Sequence, residues 1–201
     1  NSINKAAIYG KSAGIGGIVG RVCVGPKLIV ENCVNDTTAS IKTDYDCVGG
    51  IVGKALTTTT ITNCVNKGAI EDTINGISSA GGIVGYTENN KYTYTINSCT
   101  NYGAVTGWRF IGGVIGRNET LTGNVRVNDS VNHGKILSKG VTAKNGGIIG
   151  GSANGTATNN TIIDGCINFG EIDSSTQTNN GLLVGGLVGS FGKFGQIINS
   201  I

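Results

Sequence analysis

Asn63-Cys64-Val65-Asn66-Lys67-Gly68-Ala69-Ile70, followed by Gly81-Gly82-Ile83-Val84-Gly85, decides how this chain folds. Both phrases return along its 201 residues. Two glycines, two aliphatic residues and a glycine recur at Gly16–Gly20, Gly49–Gly53, Gly81–Gly85, Gly112–Gly116, Gly146–Gly150 and Gly185–Gly189. Their final glycines are spaced by 33, 32, 31, 34 and 39 residues. The second asparagine of the other phrase falls at 4, 35, 66, 101, 132 and 168, in steps of 31, 31, 35, 31 and 36. Two phrases alternating at one period are the signature of a repeat architecture. Fixed phrases with variable steps mean fixed rungs joined by loops that tolerate insertion. The extra residues fall in polar stretches such as Glu88–Tyr94, Ala143–Gly146 and Asp173–Leu183, as surface loops do.

Each repeat offers three short strand candidates. One is the aliphatic pair between the glycines. One precedes the asparagine phrase, as at Leu28–Val30, Thr58–Ile61 and Val125–Val127; one ends in the late aliphatic residue, Ile8, Ile41, Ile70, Val105, Ile136 or Ile172. These residue types favour strands, and Gly and Asn punctuate them. No segment has a 3.6-residue apolar period, and glycine, 35 of 201 residues, recurs too often for helix. The chain is expected to be all-β, a parallel β-solenoid of about six coils of ~33 residues, with neighbouring coils ~4.8 Å apart. It reads as a single repeat domain, 1–201, with repeats at about 1–31, 32–62, 63–97, 98–128, 129–164 and 165–198, and a partial start at 199–201.

Stacking makes specific demands on residue choice. Asn4, Asn35, Asn66, Asn101, Asn132 and Asn168 should form a ladder at one corner, where Asn tolerates a left-handed backbone and its amide can bond the next rung. Cys33, Cys64, Cys99 and Cys166 share one repeat position with Ser2, Ser130 and Ser200. That exchange implies a small buried side chain rather than a required bridge. A single column of thiols cannot surround a metal, so no zinc site is expected. Cys23 and Cys47 lie outside the column and are a candidate disulfide.

Composition removes several functions. Charge is sparse, 13% with a net of +3, too little and too scattered for nucleic acid; no long apolar run spans a membrane. His133 occupies a position held elsewhere by Lys5, Asp36, Lys67, Tyr102 and Phe169, which marks an exposed turn residue. No catalytic triad can be assembled around it. The carboxylates are scattered, and Asp44 and Asp46 read as a solvated loop rather than an acid pair. The threonine array Thr58, Thr60, Thr93 and Thr95 breaks after two rungs, against an ice-binding face. Trp108, beside Arg109 and Phe110, reads as a loop or edge packing residue. N-glycosylation sequons stand at Asn35, Asn118, Asn128, Asn154 and Asn159. No catalytic, cofactor-binding or metal residue, and no cofactor, is assigned.

The alternation of Asn-Cys-x-Asn-x-Gly-x-Ile/Val with Gly-Gly-Ile/Leu-Val-Gly resembles the GLUG repeat, whose core here reads Gly186-Leu187-Val188-Gly189 and Gly17-Ile18-Val19-Gly20. Serine replaces cysteine at 2, 130 and 200, and Ala6 and Thr37 stand where other copies have glycine. Such repeats occur in large bacterial surface and secreted proteins, including stalks of IgA-cleaving metallopeptidases. The resemblance implies an extracellular or cell-surface, non-catalytic segment, and it carries over no catalytic residue. Residue 199 repeats the phase of residue 1, and the chain begins with Asn rather than Met. This reads as a processed piece, continuing in a longer chain or self-associating through open ends into a filament. A structural stalk or head-to-tail filament subunit is the expected role. The alternatives are an adhesin segment binding a host or surface glycan or protein through loops such as Glu88–Tyr92 and Gln177–Gly181, and more distantly a polysaccharide-active β-helix enzyme.

Overall fold

The computed structural model describes residues 1–23, 25–89, 91–120, 122–151, 160–175, 181–192 and 194–201. Among them, thirty short strands form five parallel sheets of six strands each. One coil consists of Val34–Asn35, Ile41–Thr43, Cys47–Gly49, Val52–Ala55 and Thr59–Thr62. The next repeats it with Val65–Asn66, Ile70–Asp72, Ser79–Gly81, Val84–Asn89 and Tyr94–Asn97. Pairing is in register across equivalent positions, as in Asn35↔Asn66↔Asn101 and Ile41↔Ile70↔Val105. The chain is therefore a parallel β-solenoid with no helix among the described residues.

A coil has five strands where three were expected. The aliphatic pair is not one strand: the chain bends between Gly49 and Val52, so the two glycines form a corner between two sheets. The asparagine step is itself a two-residue strand. The left-handed backbone lies elsewhere than expected. Asn32, Asn63, Ser98, Asp129 and Asn199 have φ between 48° and 55°, and Gly165 has φ 61°. All but Asn199 stand three residues before a ladder asparagine, from Asn35 to Asn168. They carry Asn, Asp, Ser and Gly, whose small or locally bonding side chains tolerate that conformation.

The interior is divided in two. The larger apolar cluster stacks Ile51, Ile83, Val114 and Ile148 against Val30, Ile61, Ile96, Val127 and Ile163. The smaller stacks Ile41, Ile70, Val105 and Ile136 against Val48, Ala80 and Ile111. The asparagine side chains cross the gap to the glycine corner. A Cβ on Gly82 would lie 2.3 Å from Asn101 Cγ and 2.2 Å from the Gly113 carbonyl oxygen. The two sequence phrases face each other across the coil, and only glycine leaves room for the amide.

Candidate functional site

The ladder asparagines are brought together. Asn4 Nδ2 donates to Asn35 Oδ1 at 2.8 Å, Asn35 to Asn66 at 2.7 Å, Asn66 to Asn101 at 2.7 Å, Asn101 to Asn132 at 2.8 Å and Asn132 to Asn168 at 2.8 Å. The second hydrogen of each amide closes a local turn, onto the carbonyl of Gly68, Gly103, Gly134 or Gly170 in the last four rungs. Asn35, Asn66, Asn101 and Asn132 are fully buried, so these bonds satisfy amides that water cannot reach. Burial and the ladder also remove Asn35 as a glycan acceptor, and Asn118 is buried as well, with Nδ2 donating to Thr161 Oγ1 at 3.1 Å. Asn128 is half-buried and donates to Asn97 at 2.8 Å; Asn154 and Asn159 lie outside the described residues.

The cysteine column is held by one recurring bond. Cys33, Cys64, Cys99 and Cys166 each donate to the carbonyl two residues earlier, at 3.2, 3.4, 3.3 and 3.5 Å. Ser130 and Ser200 donate to the equivalent carbonyls at 2.9 and 2.7 Å, which is why serine substitutes there. Ser2 is exposed on the first rung. Burial raises the Cys166 thiol to about 11, and the shared hydrogen bond with Cys64, with burial, holds Cys99 above the usual thiol range. The same shared bond lowers the Cys64 thiol to about 7, but all four side chains are buried and pack the interior rather than meet solvent. The expected Cys23–Cys47 disulfide is not formed: both thiols are free, Cys23 exposed and Cys47 buried. Cys47 sits on the sheet that pairs Val48 with Ile15, whereas Cys23 follows the strand that pairs Val22 with Ala55, so the two belong to different sheets.

His133 is exposed, as its repeat position implies, but it is stacked rather than isolated. Its ring lies 4.8 Å from Tyr102 and 5.0 Å from Phe169. Successive coils place these rings in one file with their faces against each other.

One corner carries more chemistry than the rest: the loops between the second and third strands of successive coils. Asp44 and Asp46 separate there. Asp44 accepts from Tyr9 Oη at 2.9 Å and pairs with Lys11 at 3.7 Å on the surface. Asp46 has a buried Oδ1 without a partner among the described residues and lies near enough to Asp72 of the next coil for their charges to interact. Asp72 is fully buried, its Oδ1 accepts from the Ile74 N–H at 3.0 Å, and its Oδ2 has no partner. Burial raises its carboxyl to about 7; the Ile74 N–H and the Ser78 hydroxyl oppose the rise, and Asp46 adds to it. With no exposed surface, that carboxyl cannot meet a substrate. The sequence signal was available: Asp72 is two residues after inward-facing Ile70, hence also inward.

The same corner holds Trp108 and Arg109. Their backbone N–H groups both donate to Ser78 Oγ, at 3.2 and 3.3 Å, and the Arg109 carbonyl accepts from Lys144 N at 2.6 Å. They line a cleft of about 190 Å³ walled by Asn75, Ile77, Gly140 and Thr142. A second cleft, of about 390 Å³, is also bordered by Ile77, with Tyr45, Asp46 and Ile74. Among the described residues, no group of His, Cys, Asp and Glu is arranged to hold a metal ion.

A family model described as the GLUG motif matches residues 44–71. The chain carries a GLUG motif. That matched GLUG segment contains one glycine phrase, Gly49–Gly53, one asparagine phrase, Asn63–Ile70, and the acidic corner residues Asp44 and Asp46. No curated protein sequence matches the chain. Among solved structures, a candidate immunoglobulin A1 protease from Bacteroides ovatus is similar in fold, with a TM-score of 0.69 at 18% identity over 96% of this chain. The chain spans 58% of the length of that protein.

Proposed function

We propose that this chain is a rigid, non-catalytic length of an extracellular surface stalk. The observation that carries the reading is the unbroken in-register pairing of all five sheets through six coils, tied inside by the asparagine ladder. Such an object is stiff along its axis and presents loops sideways, which suits a spacer. Six coils at ~4.8 Å each give a rod of about 29 Å. The GLUG motif and the likeness to the Bacteroides ovatus protein support a surface repeat protein. Electron microscopy of a tandem chain carrying two copies tests this. A straight particle about twice as long as one copy is expected. A bent or compact particle, or hydrolysis of acidic polysaccharides by the purified chain, would refute it.

A further inference from the structure

We infer that the Trp108–Arg109 cleft on the flank of the solenoid is a binding site for a carboxylated sugar unit of an acidic polysaccharide. This site is independent of the stalk reading, because it concerns the side of the rod and not its length.

The chemistry of the lining and the unpaired charge of Arg109 carry the inference. The cleft combines an indole, a guanidinium, an amide (Asn75) and a hydroxyl (Thr142), a set that matches an amphipathic ring bearing hydroxyls and one negative charge. Trp108 Nε1 and Arg109 Nε are buried and have no acceptor among the described residues, but with no exposed surface they do not face an incoming ligand. Arg109 is also a cation that forms no ion pair among the described residues, lying instead over the Phe110 ring at 5.5 Å. The surrounding charges are mixed, since Asp46 beside the neighbouring cleft has no cation partner among the described residues. Lys144 is held below the usual lysine range by burial and by Arg109 and Arg117, and the nearby carboxylates of Glu119, Glu88 and Glu71 are paired with Arg117, Lys54, and Lys42 and Lys139.

The site is also rigid before any ligand arrives. Ser78 fixes two successive amides, and Gly140 lies so close that a Cβ on it would overlap the Trp108 carbonyl. Preorganisation of this kind lowers the entropy cost of binding. Tyr45, Ile77 and Trp108 each precede the third strand of their coil by two residues, so an apolar file runs along the axis beside the cleft, with Tyr45 and Ile77 about half exposed. A chain of sugar rings laid along the axis meets one such residue per coil. Guanidinium matches carboxylate in a bidentate fork, which gives the preference for an acidic ring over a neutral one.

Trp108 is the only tryptophan of the chain, so its fluorescence reports on this site alone. The test is a fluorescence titration of the whole chain with a galacturonate trimer, and in parallel with the neutral trisaccharide cellotriose, cross-checked by calorimetry. Saturable binding of the acidic trimer is expected, at least about tenfold tighter than the neutral one. Arg109→Gln should weaken it about tenfold or more, while Arg109→Lys, which keeps the charge and loses the fork, should weaken it less. Lys27→Gln, which removes an exposed cation far from the cleft, should leave it unchanged, with circular dichroism confirming that every variant folds. Equal affinity for acidic and neutral trimers, unchanged affinity in Arg109→Gln, an equal loss in Lys27→Gln, or no saturable signal at millimolar ligand would each overturn the proposal.

Discussion

Replacing Asn101 by alanine tests whether the ladder holds the coils together. Asn101 has no exposed surface and makes three side-chain bonds: it accepts from Asn66 at 2.7 Å, donates to Asn132 at 2.8 Å and donates to Gly103 O at 2.9 Å. Each such bond contributes about 1 kcal/mol net, and a buried partner left alone costs about 1–3 kcal/mol. Asn66 Nδ2 keeps Gly68 O, and Asn132 Oδ1 keeps the Gly134 N–H, which limits the damage. The truncated amide also leaves a void against Gly82, which cannot fill it. The sum is a loss of about 3–5 kcal/mol. Asn4→Ala removes a similar set of bonds on the outermost rung, where water replaces them, and should cost about 1 kcal/mol or less. Asn101→Asp keeps the shape but turns both donors into an acceptor facing Gly103 O and Asn132 Oδ1, so it should be worse than alanine. Urea unfolding gives the global cost. Because repeat arrays need not unfold in one step, hydrogen exchange at the Tyr102 and His133 amides, which bond Asn66 O and Asn101 O, gives the local one. Equal costs for Asn101→Ala and Asn4→Ala would refute the reasoning.

Three further outcomes follow from the same contacts. Gly103→Ala puts a Cβ 1.9 Å from the Gly68 carbonyl oxygen, part of a backbone that cannot yield, and should lose about 3 kcal/mol or more in urea unfolding; Gly25→Ala, which meets nothing within 4 Å, should stay within about 0.5 kcal/mol. Cys99→Ser should cost no more than about 1 kcal/mol in the same assay, since Ser130 already makes the equivalent bond one coil on; unfolding of the coil would show that the thiol's bulk, not its bond, matters. Asp72 is held at about 7 in the fold against an ordinary 3.8, so the folded state keeps a proton that the unfolded state releases. Stability should therefore fall as pH rises from about 4 to about 7 and level off above, and Asp72→Asn should flatten that slope in thermal melts taken across the range.

The period was legible because two phrases repeat, and repetition survives ignorance of every local detail. The register could be read the same way, since stacked positions must match in size: Ile41, Ile70, Val105 and Ile136 align without gaps in sequence and in space. What was not legible had weak local signals. A two-residue strand such as Val65–Asn66 is too short to show alternation, so a five-sided coil reads as three-sided. The left-handed corner is spread over Asn32, Asn63, Ser98, Asp129 and Gly165, and so hides beside the more uniform asparagines three residues on. The Trp108 cleft depends on loops from three coils meeting, and Asn75, Arg109 and Thr142 share no spacing that a linear reading would join.

The ladder also explains why the two phrases travel together. Asn101 fills the space left by Gly82, and a side chain at Gly82 would strike both Asn101 and the Gly113 carbonyl. Neither phrase can change alone: a larger residue at the glycine displaces the amide, and a smaller one at the asparagine empties the coil. The constraint is internal and repeats at each rung. It leaves the outer loops unconstrained except where they meet each other, which is where repeat lengths vary and where Trp108 and Arg109 sit. A rod built this way can change what its flank binds without altering what keeps it straight. On that logic, Arg109→Gln should weaken acidic-sugar binding about tenfold or more while leaving urea unfolding within about 0.5 kcal/mol of the parent, and Asn101→Ala should weaken the fold far more than it weakens binding at temperatures where both chains remain folded.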